Sequence, residues 1–110
     1  MTLQEREAHA CAIIDSMAKK LRDVSLYLHD NPELGLDEYK AVKVINQFLK
    51  THNFISQVGL TDLPELQTAL RGDYNGNAQH KIAFLGEYDA LPELGHGCGH
   101  NLIAMMSLGA

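Results

Sequence analysis

The chain has 110 residues, of which 45% are hydrophobic and 21% charged, and a net charge of −5. These values suit one small globular domain with its own core and argue against a disordered polar chain, a nucleic-acid binder or a membrane-surface protein. No apolar stretch approaches the length of a membrane span and the polar, acidic N-terminus does not read as a signal peptide, so a cytoplasmic setting is expected.

Residues 3–28 are predicted to form one long amphipathic helix. Ala10, Ile13, Ile14, Met17, Leu21, Val24 and Leu28 recur at steps of three and four, the helical period. Thr2 is the expected N-cap, with Glu5 placed to complete a capping box. Cys11 lies within this pattern and reads as a small buried residue. A disulfide between Cys11 and Cys98 is arithmetically open but disfavoured in a reducing compartment. Pro32 ends the helix near His29-Asp30-Asn31, where His29 is placed to meet the last carbonyls.

A turn at Asn31–Gly35 leads to a second helix over 37–52, with Ala41, Val44, Ile45, Phe48 and Leu49 as its apolar stripe. It starts at Leu36 or Asp37, Glu38 favours the positive end of its dipole, and Asn53 terminates it. Phe54–Val58 and Gln67–Arg71 read as short strands. Gly72–Asn77 is a turn carrying the Asn75-Gly76 hairpin signal. Lys81–Leu85 is predicted as a buried strand stopped by Gly86. A third helix is expected from His100 to Gly109. The order predicts an α/β fold, helices layered on a mixed sheet, with the 86–100 loop at the carboxyl end of a strand, where such sheets bind ligands. The closing run Ser107-Leu108-Gly109-Ala110 is apolar and has no polar tail. It reads as a chain that stops early, so self-association is expected.

That loop holds the functional signal. His96, Cys98 and His100 are separated only by glycines, and Glu87, Asp89 and Glu93 stand just upstream. Thiolate and neutral imidazole are favoured ligands of zinc and other late divalent metals. Cys98 and His100 are therefore candidate metal ligands. The alternative is an ordinary glycine-rich turn with a buried thiol and a surface imidazole. A third reading, Cys98 as nucleophile with His96 or His100 as base, is disfavoured because residues two apart rarely reach that geometry. Asp89 reads either as a carboxylate that holds its turn or as one that orients a metal-bound imidazole. Glu93 reads as a solvated loop acid, His9, His52 and His80 as surface histidines, and Met105-Met106 as core.

Three segments, His29-x-Asn31-Pro32-Glu33-Leu34-Gly35-x-x-Glu38, Gly86-Glu87-Tyr88-Asp89-Ala90-Leu91-Pro92 and Gly95-His96-Gly97-Cys98-Gly99-His100-Asn101, together resemble the M20 family of metallopeptidases and amidohydrolases. The pattern looks most like the branch holding aminobenzoyl-glutamate hydrolases and Xaa-Arg or carnosine-type dipeptidases. The resemblance implies an α/β/α layered catalytic domain, two divalent ions (zinc or manganese), and hydrolysis of an amide or peptide bond in a small N-acyl amino acid or dipeptide. By resemblance, Cys98 and His100 are metal ligands and Asp89 belongs to the catalytic metal site. Glu87 falls where distant members carry a ligand histidine, and Asn101 stands where the aminoacylase-like branch often has aspartate. Members are several times longer, and their general-base glutamate and remaining ligands have no counterpart here. Residues 1–110 are thus expected to be the N-terminal part of such a catalytic domain, inactive alone and oligomeric in full-length form. The rival expectation is a non-catalytic accessory or binding module in which the 86–100 loop is a structural turn or a half-site.

Overall fold

Thr2 starts α1 (Leu3–Asp30) as its sequence predicts. Its Oγ1 accepts the Glu5 amide at 3.1 Å while the Glu5 carboxylate accepts the Thr2 amide at 2.6 Å, a complete capping box. The computed structural model describes residues 1–110 throughout. After α1 come α2 (Tyr39–Thr51), strands β1 (Ile55–Val58) and β2 (Leu70–Asp73), one 3-10 turn over His96–Cys98, and α3 (His100–Gly109). Asn53, the expected terminator after α2, takes a left-handed φ of 66°.

Helix α1 is longer than anything available to cover it. Its 28 residues span about 42 Å, against about 15 Å for the ten of α3. Only its C-terminal portion therefore packs. Val24 and Leu28 are buried, whereas Ala10, Ile13 and Ile14, part of the same apolar stripe, are exposed. Cys11 is exposed too, which corrects its expected burial: the stripe is right, but nothing reaches it at that height. Both cysteines are free. The core lies where three helices meet, with Val24 and Leu28 against Ala41, Ile45 and Phe48 of α2 and Ala104 and Met105 of α3. Buried Asn101 ties α3 to α1 by donating to the Ser25 hydroxyl at 3.2 Å.

The N-terminus of α2 is capped from a distance. Its own N-cap residue, Glu38, makes no side-chain cap bond. Glu33 supplies the cap instead: its carboxylate accepts the amides of Lys40 at 2.9 Å and Ala41 at 2.8 Å. These two charge-assisted bonds at the positive end of the helix dipole also fix the turn that precedes it. Glu33→Ala is expected to cost about 1–2 kcal/mol, the upper range for loss of a cap. Urea unfolding of the variant beside wild type measures it, and an unchanged midpoint would show that the cap is dispensable.

The sheet is smaller than the sequence suggests. β1 and β2 pair antiparallel with Ile55 opposite Asp73 and Val58 opposite Leu70. The hairpin closes through residues 59–69, with the Gly59 amide on the Ala69 carbonyl at 2.7 Å. The Asn75-Gly76 turn is not its tip, a second correction. A third concerns 81–85, which forms no strand. Ile82, Phe84 and Leu85 are 84%, 63% and 89% exposed. A buried strand needs neighbours on both edges, and the only two strands already pair with each other. The predicted mixed sheet is thus a two-stranded antiparallel one. What stands is a small mixed α/β domain of helices and a short sheet.

Despite lacking strand partners, the segment before the site is tethered. Leu85 O accepts the Ser107 hydroxyl of α3 at 2.5 Å. Gly86 permits that approach, since a Cβ there would stand 2.9 Å from the same Ser107 oxygen. Further on, the Ala90 amide donates to Glu33 O at 2.7 Å, in a parallel bridge between Leu34 and Ala90. The turn that caps α2 therefore also seats the chain beside Asp89.

Candidate metal centre

Three of the residues singled out from the sequence come together. Asp89 lies one residue before the bridge to the 33–35 turn, Cys98 closes the 3-10 turn, and His100 opens α3. His100 Nδ1 lies 2.7 Å from Asp89 Oδ1 and 3.0 Å from the backbone carbonyl of the same residue. The Cys98 thiol points at that carbonyl from 3.8 Å. Thiol and imidazole thus converge on one oxygen from either side of Gly99. Gly99 has φ 83° and ends the 3-10 turn while starting α3, a left-handed position that suits glycine.

The Asp89 contact sets the chemistry of His100. A carboxylate accepting from Nδ1–H fixes the tautomer and leaves the Nε2 lone pair free to bind a ligand. Asp89 and His100 are both half-buried, so the pair is partly shielded from water. Cys98 is half-buried as well. Donors of this kind fit a divalent metal. Their number does not complete a shell: no group of three or more His, Cys, Asp or Glu side chains is placed to hold an ion. Glu87 and Glu93 are exposed and make no ion pair with His100.

His96 takes a different place from the other two loop residues. The residue is 7% exposed and its Nδ1 has no hydrogen-bond partner. Burial first, then the nearby His29 and His100, push its pKa below the usual histidine value, which favours the neutral ring. His29 itself meets Asp30 at 3.3 Å rather than a helix carbonyl.

Sequence reasoning missed a buried polar chain beside the site. Glu38, Thr68 and Tyr88 are linked: the Thr68 hydroxyl donates to the Glu38 carboxylate, and the Tyr88 hydroxyl donates to the Thr68 carbonyl. Burial first, and the Glu38 charge second, push the Tyr88 phenol up to about 12. It remains a donor at neutral pH. These residues stand 20 and 30 positions apart, and no local period announces such a chain.

Over nearly its whole length the chain is similar to known hydrolases. It is 33% identical to the Xaa-Arg dipeptidase of Mus musculus over 114 aligned positions, covering 98% of this chain and 26% of that protein. The Homo sapiens Xaa-Arg dipeptidase is 32% identical, with 88% of this chain and 24% of that protein covered. An uncharacterized hydrolase of Staphylococcus haemolyticus is 34% identical over 68% of this chain and 22% of its own length. This chain is homologous to these hydrolases over the part that it spans. It spans about a quarter of the length of the curated relatives it matches. No family model matches it. No helix is long and apolar enough to cross a membrane.

Proposed function

We propose that this chain carries part of the divalent-metal centre of an amidohydrolase of the M20 type. In this reading the parent enzyme hydrolyses an amide or peptide bond in a small N-acyl amino acid or dipeptide in the cytoplasm. The Cys98 thiolate and His100 Nε2 would hold the metal, zinc or manganese, and two ions make up the complete site. Asp89 takes the Nδ1 proton of His100 in a hydrogen bond and thereby fixes the ring and raises its basicity. When bound, such a metal supplies an activated water and polarises the substrate carbonyl. The single observation that carries the reading is the 2.7 Å contact between Asp89 and His100, with the Cys98 thiol on the same residue's carbonyl.

Two donors are fewer than the three protein ligands of an ordinary catalytic zinc. The remaining ligands and the proton-transferring group therefore come from outside these residues, and the chain alone does not turn over substrate. The small-molecule substrate, and assembly of the parent into an oligomer, follow from the family reading. A half-site completed by another chain, the one rival that a specific observation favours, rests on the same shortage of donors.

Cobalt(II) titration of the 110-residue chain tests the reading. A thiolate-to-cobalt absorption band that saturates is the expected result. A chain that shows no such band, and retains no zinc or manganese after dialysis, would remove the claim that these residues form part of a centre.

A further inference from the structure

We propose that the Tyr88 hydroxyl is a positioning group for the Asp89–His100 pair, anchored through Thr68 to the buried carboxylate of Glu38. The proposal rests on the roles given to Asp89 and His100 above.

The His100 Nδ1 proton is shared between the Asp89 carboxylate and the Asp89 backbone carbonyl, and the Cys98 thiol approaches that same carbonyl. Side-chain rotation alone cannot satisfy such a pattern. The backbone of residue 89 must itself be in place. Yet no ladder holds it, because residues 81–89 pair with no strand.

Three ties fix this stretch. Ser107 holds the Leu85 carbonyl four residues upstream, and Glu33 O holds the Ala90 amide just downstream. Between them, apart from the Asp89 contact with His100 itself, only the side chain of Tyr88 is hydrogen-bonded to a distant residue, donating to the Thr68 carbonyl. That acceptor is itself immobilised. Thr68 is 3% exposed, and its hydroxyl donates to Glu38. Glu38 is buried without a cationic partner, and its second oxygen accepts the Leu36 amide at 2.9 Å. Leu36 adopts a left-handed φ of 74°, a conformation unfavourable for any residue that carries a Cβ. Such strain persists where the surroundings over-determine it. The chain from the Leu36 turn through Glu38 and Thr68 thus ends on the residue next to Asp89, and it has no other side-chain outlet.

The test reads the tautomer of His100 in the metal-free chain at one fixed pH, by two-bond 1H–15N correlation of the imidazole nitrogens. Wild type is expected to show the Nδ1–H form as dominant. In Tyr88→Phe that form is expected to become the minor one, with the amide resonances of Asp89 and Cys98 displaced. Thr68→Val keeps the carbonyl that Tyr88 uses but cuts the link to Glu38. It is expected to shift the tautomer in the same direction and by less, and it stands in if Tyr88→Phe does not fold. A Tyr88→Phe chain that unfolds more readily but keeps the wild-type tautomer and resonances would overturn the proposal, leaving the phenol a purely structural group. Wild type lacking the Nδ1–H form would overturn it as well. Cobalt(II) binding is read separately on wild type. Its absence defeats the metal reading while the tautomer result still decides the role of Tyr88.

Discussion

Cys98→Ser and His100→Ala are each expected to abolish the cobalt-thiolate band and the retention of zinc, and to remove turnover from any full-length hydrolase containing this segment. The two substitutions act on different atoms. Serine keeps the shape of Cys98 but offers no thiolate at neutral pH, and alanine deletes the only imidazole nitrogen that Asp89 leaves free. Asp89→Asn should do less, weakening metal binding about 10–100-fold, the usual effect of removing a carboxylate that orients a ligand histidine. The graded order, two complete losses and one partial, separates ligands from their orienting group. Elemental analysis after dialysis and kcat/KM of the same three variants provide the measurement. Wild-type metal content and rates in Cys98→Ser and His100→Ala would refute the assignment. Equal losses in all three would place Asp89 among the ligands.

Leu28→Ala is expected to destabilise the fold by about 3 kcal/mol, within the range for emptying a leucine site in a core. Leu28 is 1% exposed, and it sits in a core cluster of only seven residues. A domain of this size has a total stability of about 5–15 kcal/mol, so the loss is a large share of the whole. Each kcal/mol moves the unfolding temperature of a small domain by about 4–8 °C, which makes a fall of more than ten degrees readable by calorimetry. Ile82→Ala is the control. Its side chain is 84% exposed, and its removal should change stability by less than about 0.5 kcal/mol. If the two variants unfolded together, the helix junction would not be the core.

The parts of the fold visible in the sequence are those governed by neighbours in the chain. The capping box of Thr2 and Glu5, the long α1, the start of α3 at His100 and the stop after α2 at Asn53 all follow from patterns within a few residues. The misread parts depend on distant company. Ile82–Leu85 is apolar enough for a buried strand, but composition cannot say whether partners exist to bury it. The cap of α2 arrives from Glu33, outside the window in which a cap is normally sought. Cys11 sits on a correct stripe at a height where nothing packs. The site divides in the same way. The spacing of Asp89, Cys98 and His100 made their meeting legible, because a short glycine-rich loop can fold back only so far. The chain from Glu38 to Tyr88 was not legible, because it joins three separate stretches of the sequence through a backbone carbonyl.

Gly99 has open space where a side chain would begin, with no atom from beyond its own chain neighbours within 4 Å of that point. Glycine is therefore required there by the angle of the backbone and not by crowding. Cys98 and His100 flank this one residue, so its torsions, φ 83° and ψ 11°, are among those that set the separation of thiol and imidazole. A substitution that changes either angle by a few degrees alters the spacing of the two side chains, which is thereby adjustable from one position in the chain.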